Sequence, residues 1–292
     1  MNYALLFSGQ GGQHPAMLPW LDDDGGWRAG LVDPVAASRN AFAQPLLTRL
    51  ALAAWARLSA LLPAPAAVAG YSVGELAAFS VAGVFDAATA IHLAGQRARL
   101  MDLCAADGPP TGLLAFSGLA PELQAGLCQR LGLAIAIRTD SHTGVFGGPR
   151  DALALASDAA SGAGAQVTPL RVALASHTPW MRGAAEAFAE VLQATAFATP
   201  RAALFSNLTG GRVTRVADLR SALAGQIDRT VRWDEAMEGI AERGVACVLE
   251  IGGGSALARH WTQRFPAVPA RAADDFKSVS ALVDWVGRAS GR

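Results

Sequence analysis

The chain has 292 residues, 52% hydrophobic and only 16% charged, so a substantial buried core is expected. Its 24 basic and 24 acidic side chains cancel, which leaves no electrostatic footprint for nucleic acid or an anionic membrane. Cys104, Cys128 and Cys247 are odd in number, widely spaced and free of any CxxC pair, which argues against a disulfide framework or a zinc site and for reduced thiols in a cytoplasmic protein.

The first element, "YALLFS" at 3–8, reads as a short apolar strand of the kind buried in a parallel sheet. Nothing before it resembles the basic region of a secretory leader, and no apolar run in the chain approaches the ~20 residues of a membrane span. The strand runs into the glycine-rich loop "GQGGQHP". Residues 34–60 read as largely helical, with Pro45 as a break. "AAVAG" at 66–70 is a second buried strand, followed by a helix over 73–80. Asp86 is placed to cap a helix that continues to about Leu103.

The middle of the chain changes character. Strands are predicted at 111–119, 133–139, 144–148 and 165–172, with helices at 120–130 and 150–161. The order β-α-β-β-α-β is that of a ferredoxin-like unit. The expected division is therefore a small inserted subdomain over 111–173 and a large core formed by 1–110 and 174–292. The remainder alternates again: a helix near 179–194, a strand around "AALFSN", helices near 217–226 and 233–242, a strand at 246–251 and a helix from Ser255. Such alternation implies an α/β fold, a hydrolase-like core with a mostly parallel sheet, beside the ferredoxin-like insertion.

"GYSVG" at 70–74 fits the G-x-S-x-G elbow, a tight strand-to-helix turn that lifts a serine hydroxyl out at the edge of a sheet. Two readings of Ser72 are open. It is either the cap of the following helix or a nucleophile whose oxyanion is met by that helix's N–H groups. A nucleophilic serine needs a base. Of the five histidines, His92 and His260 fall within helices, His14 follows the glycine-rich loop and His142 lies in a turn. His177, between a strand and a Pro-started helix, holds the place of a catalytic loop and ranks ahead of them. No acidic third partner can be picked out for it.

The stretches "FSGQGGQ" (7–13), "GYSVGELAA" (70–78) and "ASHTPWM" (175–181) resemble, in order and spacing, the malonyl-CoA:acyl-carrier-protein transacylase family. The resemblance runs over nearly the whole chain. It implies that Ser72 accepts the acyl group and that His177 is its base. The backbone N–H groups of Gln10 and Val73 would form the oxyanion hole. A main-chain carbonyl at Gln226 would orient the histidine where other hydrolases use a carboxylate. Arg97 and Arg99 are equal candidates on sequence alone; the resemblance selects Arg97 to grip the substrate carboxylate, which a guanidinium fork matches in geometry. Gln10, Met101 and Asn207 are the other implied substrate-site residues. No cofactor or metal is implied, because the CoA thioester is itself a substrate; the partners are malonyl-CoA and a small acyl carrier protein.

Two departures from the family pattern stand out. Tyr71 stands where the family members of fatty-acid synthesis have histidine, and Ser8 replaces a proline. "GYSVGELAA", "SHTPWM" and the C-terminal "DDFKSVSALVDWV" resemble the epsilon subunit of malonate decarboxylase. That subunit loads malonyl onto a carrier bearing a phosphoribosyl-dephospho-CoA thiol, and other decarboxylase subunits would then be partners. The alternatives are a malonyl transferase of fatty-acid or polyketide synthesis with a phosphopantetheine carrier, a thioesterase or lipase-type hydrolase, and a non-catalytic carrier-binding subunit.

Overall fold

In a computed structural model, which describes residues 1–106 and 108–291, the chain forms two sheets with helices packed around them. The larger sheet is built from β1 (Tyr3–Phe7), β2 (Ala67–Gly70), β7 (Ala203–Phe205), β8 (Arg212–Val213), β10 (Cys247–Ile251) and β11 (Ala270–Ala272). Its order is β11-β10-β1-β2-β7-β8, parallel throughout except for the antiparallel β7–β8 pair. The central strands are apolar on both faces because both are covered. Tyr3, Leu5 and Phe7 of β1 point into one core and Ala4 and Leu6 into another, all of them fully buried.

Between β1 and β2 the chain forms α1 (Pro34–Ala37) and α2 (Asn40–Ser59). The predicted break at Pro45 is not there. The interruption falls at Ser38–Arg39, and Pro45 sits inside α2. A proline near a helix start sacrifices a single hydrogen bond, which the packing of this buried helix tolerates. After β2 come α3 (Gly74–Val81) and α4 (Ala87–Ala106). Asp86 caps α4 as expected, its carboxylate accepting from the Thr89 N–H at 2.7 Å.

The second sheet contains β3 (Thr111–Ser117), β4 (Ala134–Arg138), β5 (Thr143–Pro149) and β6 (Gln166–Pro169), with α5 (Pro121–Leu131) and α6 (Arg150–Gly162) on one face. The strand order β6-β3-β5-β4, antiparallel throughout, is that of a ferredoxin-like β-α-β-β-α-β unit. The second sheet draws one strand from outside the predicted 111–173 subdomain: β9 (Val231–Arg232) adds in parallel to β4. A two-residue strand has too little pattern to be seen in sequence. The chain closes with α7 (Arg182–Gln193), α8 (Val216–Gly225), α9 (Trp233–Ala241), α10 (Ala256–Arg264) and α11 (Val279–Ala289). Among the described residues no helix is long and apolar enough to cross a membrane.

Candidate active site

The site lies at the C-terminal edge of the large sheet, where β1 and β2 end side by side. β2 turns into α3 within three residues, and two glycines make this possible. A Cβ on Gly70 would lie 2.1 Å from the Gly74 carbonyl, and one on Gly74 would lie 2.3 Å from the carbonyl oxygen of Phe7. The turn holds Ser72 in the left-handed region, at φ 54°. A serine there is strained by about 1 kcal/mol or more, a conformation retained only where its surroundings fix it.

The hydroxyl of Ser72 does not cap α3, whose first turn receives no side-chain hydrogen bond. It lies instead 2.8 Å from His177 Nε2. The other ring nitrogen, Nδ1, donates to the backbone carbonyl of Gln226. A carbonyl can only accept, so Nδ1 carries the proton and Nε2 is left free to take one from Ser72. His177 is itself in the left-handed region, φ 64°, and its N–H is held by the Ile227 carbonyl at 2.7 Å. The segment Gln226–Ile227 thus fixes both the ring and the backbone of the histidine. Where an acidic partner would stand, the ring meets the main-chain carbonyl of Gln226.

Of the other histidines, His14 pairs with Asp274 at 2.9 Å, while His92, His142 and His260 belong to other surfaces and do not line the Ser72 cavity. Arg97 enters from α4 and is 1% exposed. Its guanidinium donates to Gln44 Oε1 at 2.7 Å and to Gln226 Oε1 at 3.2 Å, and it approaches Ser72 Oγ at 3.4 Å. Its Nε is buried without a partner. Arg99 points away from this cavity, so the choice between the two arginines is made by helix phase.

A cavity of about 70 Å³ opens among Gln10, Ser72, Val73, Arg97, Met101 and His177. Tyr71 and Ser176 also line it, as do Gln44 and Asn40, which were not singled out from sequence. Gln44 is the one with a detectable signal, since a polar residue on an otherwise apolar helix face invites a partner. Leu113, Ile137, Leu170 and Val172 close the cavity from the side of the second sheet. A cleft of about 430 Å³, sharing Gln10, Leu170 and Val172 with the cavity and reaching out to His14, Ser38 and Arg171, adjoins it. Among the hydrogen bonds of the described residues none uses the N–H of Gln10 or Val73. Both amides are therefore available to an oxyanion.

Two predicted residues sit behind the cavity. Asn207 is fully buried beneath the elbow, a correction to its expected place on the substrate. Its Oδ1 accepts from the Ser72 N–H at 2.8 Å, and its Nδ2 donates to the Gly70 carbonyl. Gln226, besides its carbonyl, donates from Nε2 to the Ser72 carbonyl at 3.3 Å. Both are brought to the elbow by loops that follow β7 and α8, so no local pattern announces them.

Burial dominates the electrostatics. Desolvation first, and the positive Arg97 second, hold the His177 imidazole down at about 3 against the pull of the Gln226 carbonyl. Desolvation also lowers Arg97 to about 10, partly offset by Glu75, which leaves it charged at neutral pH. Glu75 is pushed up to about 8 by burial, against hydrogen bonds from Asn207 and the charge of Arg97. The neutral imidazole and the cationic guanidinium are the forms needed for a base and a carboxylate receptor.

Residues 33–282 match the acyl transferase domain model. A malonyl CoA-acyl carrier protein transacylase of Mycobacterium bovis is 34% identical over 296 residues, covering 92% of this chain and 95% of that protein. The crystal structure of FabD from Acinetobacter baumannii superposes with a TM-score of 0.88 at 27% identity, over 99% of both chains. A structure described as a type II polyketide-synthase acyl-carrier protein in complex with its malonyl-transacylase gives a TM-score of 0.89 at 27% identity, over 97% of this chain and 99% of that one. With a serine elbow, a carbonyl-oriented histidine and this match over most of its length, the chain belongs to the malonyl-CoA:acyl-carrier-protein transacylase family and is an acyltransferase.

Proposed function

We propose that the protein moves a malonyl group from CoA, through an ester on Ser72, to the thiol of a small carrier protein. The observation that carries this reading is one buried guanidinium, Arg97, sharing a cavity with the Ser72–His177 pair. A malonyl thioester has a planar free carboxylate for that fork, and an acetyl thioester has none. His177 Nε2 takes the Ser72 proton as Oγ attacks the thioester carbonyl. The amides of Gln10 and Val73 meet the oxyanion, and the intermediate collapses with loss of the CoA thiolate, which receives the proton from His177. The carrier thiol then attacks the malonyl-serine as His177 takes its proton; the Ser72 Oγ–acyl bond breaks, His177 returns the proton to Oγ, and malonyl leaves as the carrier's thioester. The apolar wall of Leu113, Ile137, Leu170 and Val172 disfavours water at this stage.

The substrate also tunes its own base. In the free site Arg97 lowers the basicity of His177. A carboxylate bound to Arg97 neutralises that charge and raises the imidazole toward the range in which it accepts a proton well.

The carrier is read as that of malonate decarboxylase, on the strength of the "GYSVGELAA", "SHTPWM" and C-terminal segments. Tyr71 lines the cavity and packs edge-on against Trp233, with ring centroids 5.2 Å apart, so the residue that departs from the fatty-acid pattern is also at the site. The transacylases named above favour a phosphopantetheine carrier as the second reading. Mass spectrometry after mixing with malonyl-CoA tests the chemistry: a malonyl adduct on Ser72, absent from Ser72→Ala, is expected. An adduct of equal yield on the variant overturns it. Transfer to the two carriers, each supplied in holo form, decides between the readings by the ratio of kcat/KM.

A further inference from the structure

Behind the elbow lies a carboxyl group that the mechanism above does not use. Glu75, in the first turn of α3, is fully buried. Its Oε1 accepts from the backbone N–H of Asn207 at 2.7 Å, while Oε2 is buried with no partner. Asn207 in turn holds Ser72 N–H at 2.8 Å through Oδ1 and the carbonyl of Gly70 through Nδ2. The two residues on either side of the turn are therefore pinned by one amide, and the backbone of that amide is pinned by one carboxyl. The chain of contacts ends on the residue whose backbone is held in the left-handed region.

We propose that Glu75 is a positioning residue of the acyl-transfer site, fixing Asn207 and through it the strained backbone that presents Ser72 Oγ to His177. A carboxyl group this deep has no solvation to offset its desolvation, so its retention needs a use. The charged group that faces it is Arg97 on α4; from the loop after β7 it meets the neutral Ser206 and Asn207, and α3 contributes no other charged residue. Burial keeps the carboxyl protonated at neutral pH, with its titration near 8. An uncharged Glu75 can hold Asn207 without neutralising Arg97, which keeps the guanidinium available to the substrate. The inference depends on the preceding reading only in taking Ser72 as the nucleophile.

The test compares Glu75→Ala and Glu75→Gln with the native enzyme. A serine-directed fluorophosphonate, which carries no acyl specificity, reads the reactivity of Ser72; malonyl-CoA turnover gives kcat and KM separately. Glu75→Ala is expected to slow both labelling and kcat by roughly 10²-fold, the effect of displacing a reacting atom by about 1 Å, with KM little changed. Glu75→Gln keeps an acceptor oxygen for Asn207 and is expected to recover the rates to within about tenfold. Labelling of folded Glu75→Ala at the native rate overturns the proposal, as does a Glu75→Gln variant as slow as the alanine one. Native enzyme that neither labels nor turns over malonyl-CoA counts against the functional reading and not against this one.

Discussion

Replacing Arg97 by alanine should erase the preference for malonyl over acetyl thioesters. The guanidinium is 1% exposed, and the other ionisable groups lining the cavity among the described residues, His177 and Tyr71, are both kept neutral by burial. A malonyl carboxylate brought into this space has no second cation. Removing one member of a buried, hydrogen-bonded charge pair costs about 3–5 kcal/mol, so kcat/KM for malonyl-CoA should fall by roughly two to three and a half orders of magnitude. Acetyl-CoA makes no such pair. In the native enzyme it leaves Arg97 on Gln44 and Gln226, so its kcat/KM should change by less than about tenfold. The assay is parallel measurement of the two donors with one carrier, and a melting curve shows that the variant is folded. Arg97→Lys should fall between, because a lysine is a point charge and loses the bidentate geometry. A folded Arg97→Ala enzyme with an unchanged malonyl-to-acetyl ratio would refute the reasoning.

Ser72→Gly should abolish acyl-enzyme formation yet raise stability by about 1 kcal/mol, because it relieves a side chain held at φ 54°; a less stable glycine variant speaks against strain at the elbow. Gln226→Ala retains the carbonyl that orients His177 and loses only the side-chain contacts to Arg97 and Ser72. It should cost about 10–100-fold in kcat, whereas His177→Ala should cost at least about 10³-fold; equal losses would deny the carbonyl its role. Glu75 binds its proton more tightly in the native state, so native stability should fall relative to Glu75→Gln as pH rises from about 4.5 to about 8, and level off above. The difference at pH 7 is about 3 kcal/mol, readable by urea titration, and a pH-independent difference excludes the buried acid. His177 works in the opposite direction: its lowered value makes stability fall as pH drops from about 6.5 toward 3, a slope that His177→Gln should reduce. Gly74→Ala places a methyl against the carbonyls at the end of β1 and should lose several kcal/mol of stability in thermal melts.

The sequence by itself determined the apolar strands, the elbow and the order of strands and helices in the middle of the chain. Each rests on local pattern: alternate residues of β1 must face two cores, two glycines must flank Ser72, and the strand and helix order over 111–173 permits few pairings. Position alone ranked His177 ahead of the other histidines, and the resemblance added Arg97 and the carbonyl at Gln226. Tertiary structure alone decided the rest. Residues 72, 97, 177, 207 and 226 meet only because the end of β2, the middle of α4 and three separate loops come together at one edge of a sheet. It moved Asn207 from the substrate to the underside of the elbow, set the break before α2 at Ser38–Arg39, and carried β9 into the second sheet. It also exposed Glu75, an ordinary first-turn acid in sequence, as a buried carboxyl. Hydrogen bonds between loops and the desolvation of charges are long-range quantities. They arise from which surfaces are brought together, and no window of neighbouring residues contains them.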